Sequence, residues 1–143
     1  MKDTWRVAVS AMILGVAGAA LADFPVAENG QPKCVVVAGA EFANQAKNLT
    51  DYLAAITGAK IPVVADAAAA QGQPAIILEK VDKVPGSSAK VTARQAYRIK
   101  ADDKTLRLTG GSDHGVTYAV WGLLEDHLGC RFYTFKGNSQ PDF

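Results

Sequence analysis

The 143 residues carry 15 basic and 14 acidic side chains and are 49% hydrophobic, enough for one packed core, too few for two, and about half of the ~250 residues that a (β/α)₈ barrel requires. A balance this close to neutral argues against nucleic acid as a partner, because that binding draws on a surplus of Lys and Arg. Two cysteines and two histidines, none at ligand spacing, argue against a metal site, and neither a metal nor a cofactor is expected.

In chain order, Met1–Ala22 has the pattern of a secretory signal peptide. Lys2 and Arg6 give a positive start, Val7–Ala20 is apolar and small, and Ala20-Leu21-Ala22 fits a cleavage site. The apolar run is roughly 14 residues, short of the ~20 of a membrane span, so the protein is expected to be exported (periplasmic or secreted) with no membrane contact after cleavage. Loss of Lys2, Arg6 and Asp3 leaves the rest formally neutral. Residues 23–33, with Pro25, Gly30 and Pro32, read as a linker.

The folded domain is expected over 34–136. Cys34–Gly39 reads as a buried strand closed by glycine. Phe42, Ala46, Leu49, Leu53 and Ile56 then recur at helical spacing, with Glu41 at the positive end and Gly58 as the stop. Ile61–Val64 is a short strand, Ala67–Gln73 a loop or helical turn, Pro74–Leu78 a buried strand, and Asp82–Ala93 an exposed excursion. Ala96–Lys100 and Thr105–Thr109 alternate polar and apolar around the turn residues 101–104, as a hairpin does. Val116, Ala119, Val120, Leu123, Leu124 and His127 trace one helical stripe, capped by Ser112 or Asp113 and ended by Gly129. Cys130–Phe135 reads as a last strand, and 137–143 as the start of a further linker. The expected fold class is α/β: a single two-layer domain whose mixed, mainly antiparallel sheet carries two helices on one face. Cys34 and Cys130 fit either a disulfide or two buried free thiols.

Each motif that could carry chemistry has a plainer structural use. Gly110-Gly111-Ser112-Asp113-His114-Gly115 sits between strand and helix, where backbone N–H groups could cradle a phosphate. It lacks the Lys-Ser/Thr of a P-loop and the G-x-G-x-x-G spacing, so tight-turn and capping roles fit better. His114 and His127 have no nucleophile beside them in sequence. Glu125 and Asp126 point roughly 100° apart on a helix and would not flank a sugar together. Trp121, Tyr118 and Tyr133 could form a sugar-stacking platform, but Trp121 and Tyr118 lie on or beside the apolar stripe and suit the core. The Lys/Arg-rich stretch from Lys80 to Arg107 reads as a solvated sheet face. No catalytic, cofactor-binding or metal-binding residue is assigned.

Tyr97-Arg98-Ile99, Leu106–Ser112, Gly115–Ala119, Leu123–Asp126, Leu128–Tyr133 and the earlier Leu53–Val63 together resemble the amino-terminal accessory domain of exported glycoside hydrolases. The pattern is similar to the domain ahead of the barrel in family 67 α-glucuronidases, to that of β-N-acetylhexosaminidases, and to the front domain of large exported bacterial proteins with an uncharacterised barrel. The resemblance implies a mixed sheet backed by two helices, with the catalytic acid and base in a following barrel, so it assigns no catalytic residue here. The expected function is that of a non-catalytic accessory domain of an α-glucuronidase-like or related enzyme, truncated or split from its barrel and inactive alone. Its expected partners are a glycoside hydrolase barrel or a second copy, met through an exposed apolar patch. A free-standing carbohydrate-binding module using Trp121, Tyr133 or Phe135 is the first alternative. A small hydrolase with a site around Asp113, His114 and Glu125 is the second.

Overall fold

Short β-branched and leucine-rich runs build a central sheet of five strands. The computed structural model describes residues 4–9, 22–86, 95–135 and 138–142, with side chains described over 24–86 and 95–130. The elements are β1 (Thr4–Val9), β2 (Ala22–Glu28), β3 (Gln31–Pro32), β4 (Val35–Val37), α1 (Ala43–Thr57), β5 (Val63–Val64), β6 (Ala75–Lys80), β7 (Tyr97–Ala101), β8 (Thr105–Gly110), α2 (Asp113–Gly122), β9 (Arg131–Phe135) and β10 (Asn138–Asp142). A 3₁₀ turn, Ala40–Phe42, leads into α1, and a π-helical turn, Leu123–His127, follows α2.

The central strands lie in the order β5-β4-β6-β8-β7. β4 pairs parallel with both β5 and β6, β6 pairs parallel with β8, and only β7–β8 is antiparallel. The α/β class and the two helices are as expected, but the mainly antiparallel sheet is corrected to a mostly parallel one. The physical reason lies in the crossovers. α1 carries the chain from β4 back to a parallel β5, whereas only the tight turn at 101–104 reverses it directly. Asp102 fixes that turn, its carboxylate accepting from the Lys104 and Thr105 amides and from the Thr105 hydroxyl.

Strand alternation sorts side chains between two faces. Val36, Ile76, Leu78, Leu106 and Leu108 turn to the helical side and meet Leu49 and Leu53 of α1, Val116, Ala119 and Val120 of α2, and Leu123 and Leu124 of the π turn, all buried in one cluster. Each of these leucines contributes roughly 1.5–3 kcal/mol by leaving water. On the other face Val35, Val37 and Ala75 form a smaller cluster with Ala70, which arrives from the turn at 67–73. Farther along that face Glu79 accepts from Arg107 at 3.0 Å and from Thr109 at 2.7 Å.

Residues 23–33 are not a bare linker. β2 and β3 pair across a two-residue turn, Asn29-Gly30, with both residues at positive φ, and Phe24 and Val26 are buried in the main core. Asn-Gly suits this turn because both central residues must enter the left-handed region. β1 pairs antiparallel with β2 and falls within the segment expected to be a signal peptide, most of which lies outside the described residues. Of the expected excursion, Val84 is buried, and 87–94 lie outside the described residues. β9 pairs not with the central sheet but with β10, so 138–142, expected to begin a linker, form a strand.

Cys34 and Cys130 are buried thiols that are not joined to each other. The Cys34 thiol donates to the Val26 carbonyl at 3.6 Å, and burial pushes its pKa from the ordinary 9.0 to about 12.

Candidate functional site

The parallel strands β4, β6 and β8 all end on one edge of the sheet, the edge at which α/β folds most often hold ligands. There β6 delivers Lys80, and the turn after β8 delivers Gly111 and Ser112 before α2 opens with Asp113 and His114. With Val81 and Asp82 these residues line an open depression of about 440 Å³.

The glycines of this turn are required by packing. A Cβ on Gly110 would press into the Val116 amide nitrogen, and one on Gly115 would stand 2.5 Å from the Ala96 carbonyl oxygen. The end of β8, the start of β7 and the first turn of α2 therefore meet backbone to backbone. Ser112 is the cap: its hydroxyl accepts from the Gly115 amide at 3.1 Å. Asp113, also considered for that role, is instead the first helical residue. Its carboxylate takes a hydrogen bond from the Lys80 ammonium at 2.9 Å. That contact, ahead of their mutual attraction, raises the Lys80 pKa and lowers that of Asp113, and Glu41 adds to the negative field at Lys80.

Of the three residues considered for a small hydrolase, Asp113 and His114 share the depression and Glu125 does not. Glu125 lies twelve positions along the chain, roughly 18 Å at 1.5 Å per residue, and is exposed beside Asp126. Asp113, held ionised by Lys80, is the opposite of the protonated carboxyl that a glycosidase's general acid must be. Lys80 and Asp82 join the depression without a local signal in the sequence. β6 and β8 are separated by a hairpin strand in sequence, and only their parallel pairing brings Lys80 to α2.

The aromatic candidates divide. Trp121 is half-buried against the core and meets Tyr52 of α1 edge-on, ring centroids 5.6 Å apart. Tyr118, expected to pack inside, is 45% exposed, and Tyr97 is 42% exposed. Tyr97 lies along α2 with its hydroxyl end against Gly122, 3.1–3.4 Å from where a Cβ would sit. Its pKa is raised by burial first and then by Asp126 and Glu125. The side chains of Tyr133 and Phe135 lie outside the described residues. His127 is half-buried in the π turn, and Leu128 packs against the core beside it. Among the described residues the exposed large apolar side chains are Val63, Tyr97 and Tyr118. β5 and β7 are opposite edges of the sheet, so Val63 stands apart from Tyr97. Among the described residues no group of three or more His, Cys, Asp or Glu side chains could hold a metal ion, and no helix is long and apolar enough to cross a membrane.

The family model described as glycosyl hydrolase family 20, domain 2, matches residues 27–125. No curated protein matches the chain.

Proposed function

The chain belongs to the glycosyl hydrolase family 20 domain 2 family, and from that membership we propose that it is the accessory domain of an exported β-N-acetylhexosaminidase-type enzyme. Domains of this family normally pack against the catalytic barrel of the same enzyme. The observation that carries the reading is the match from β2 to the π turn, which spans both helices and the whole central sheet. The family 20 match favours the hexosaminidase branch of the sequence resemblance over the α-glucuronidase one.

In this reading the domain makes and breaks no bond. It supplies a rigid face, and Tyr97 and Tyr118 on the helical side are suited to anchor a partner because tyrosine combines apolar area with a polar tip. The opposite face, with Arg107 and Glu79, is charged and costs more to desolvate.

Two assays test this. The chain without residues 1–22 should leave a chromogenic N-acetylglucosaminide uncleaved yet bind a family 20 barrel supplied without its own domain 2. Turnover, or indifference to the barrel, overturns the reading. Export is checked separately: amino-terminal sequencing of the exported protein should begin at Asp23.

A further inference from the structure

The accessory role proposed above assigns nothing to the depression at the carboxyl edge of the sheet. Its lining is polar. Lys80 donates one N–H to Oδ1 of Asp113 across 2.9 Å, which leaves two ammonium hydrogens and the second carboxylate oxygen to other partners. His114 and Asp82 stand around them, with Val81 the one aliphatic side chain in the lining.

We infer that this depression, between Lys80 on β6 and Asp113-His114 on α2, binds a pyranose unit through a vicinal pair of hydroxyls. An ammonium and a carboxylate at this separation match such a diol: one hydroxyl accepts from Lys80 while its neighbour donates to Asp113. A hydroxyl is both donor and acceptor, so it satisfies either group, whereas a phosphate would meet the carboxylates of Asp113 and Asp82 and be repelled. An apolar ligand would leave the ion pair desolvated without a partner. At about 440 Å³ the space falls within the range of small-molecule sites. The choice of a sugar over another polyol rests on the carbohydrate-active reading above; the pair proposed to hold it, Lys80 and Asp113, is not the pair of tyrosines proposed to anchor a barrel, so substitutions tell the two apart.

The test is an NMR titration of the chain lacking residues 1–22 with xylotriose, which carries a vicinal diol on every unit, and with O-methylated xylotriose, which has none. Saturable shifts of the His114 ring and of the Gly111–His114 amides with xylotriose alone are expected. The double variant Lys80→Ala/Asp113→Ala should weaken that binding at least tenfold while keeping the wild-type spectrum elsewhere, since both side chains are exposed. No shift at His114 up to the solubility limit, equal shifts with the methylated sugar, or shifts confined to Tyr97 and Tyr118 would overturn the inference. Capture of a family 20 barrel by the same double variant would show that the accessory role stands regardless.

Discussion

Gly115 and Gly122 stand seven residues apart on α2 and receive the start of β7, one against the Ala96 carbonyl and the other against the Tyr97 ring. The two contacts differ in what can yield. A methyl at Gly115 meets backbone, and overpacking of ~1–3 kcal/mol outweighs the ~1 kcal/mol that alanine gains over glycine in a helix. At Gly122 the obstacle is the far end of a half-exposed side chain, which can shift by a few tenths of an ångström. Gly115→Ala should therefore lower the urea-unfolding free energy by roughly 1–2 kcal/mol, and Gly122→Ala should stay within about 0.5 kcal/mol of wild type. Cys34 gives a pH signature. Its folded pKa is about 12 against an ordinary 9.0, so the unfolded chain releases the thiol proton first as pH rises. The stabilisation is complete below pH 9 and is lost towards pH 12, at up to ~1.4 kcal/mol per pH unit. Denaturant melts from pH 8 upward should show a shallower decline in Cys34→Ala than in wild type.

At the scale of elements, α1 and α2 were legible because a 3.6-residue period leaves its mark within one segment. Leu49 and Leu53, and Val116, Ala119 and Val120, are buried as their spacing requires. Gly58, at φ 73°, ends α1, and Gly129, at φ 74°, closes the π turn while Cys130 N–H reaches back to the Leu124 carbonyl. Strand direction was harder to read. Cys34–Val37 and Ala75–Leu78 are apolar on both faces, which is the mark of parallel strands covered on both sides, whereas the alternation at 96–109 marks only the one antiparallel pair. The Asn29-Gly30 turn was a missed signal of the same local kind as those that were read. The site was half legible: Asp113 and His114 are adjacent in sequence, whereas Lys80 reaches them only through a pairing 33 residues long. Ser112 gives this edge its measurable contribution. Ser112→Ala removes the acceptor for the Gly115 amide and should cost about 1 kcal/mol in denaturant melts, with circular dichroism keeping its helical shape.

The whole molecule presents two unlike surfaces. The helical side exposes Tyr97 and Tyr118, and the sheet side exposes Arg107 with Glu79. Among the described residues the helical side exposes two half-exposed phenols, far less than the apolar area that holds an obligate dimer together, so the chain without residues 1–22 should sediment as a monomer at high micromolar concentration. A concentration-dependent dimer in sedimentation velocity would move the barrel-facing role to a second copy.

The antiparallel β7–β8 hairpin has a consequence in time. Its strands close across a turn of a few residues and run directly into α2, so this region gains contacts while spending little chain entropy. β4 and β6 meet only after the 39 residues between Val35 and Ala75 have been gathered in. The end that carries Tyr97, the glycine seat and the capped helix is thus the natural starting point of folding, and the parallel strands that dominate the finished sheet are the later arrivals.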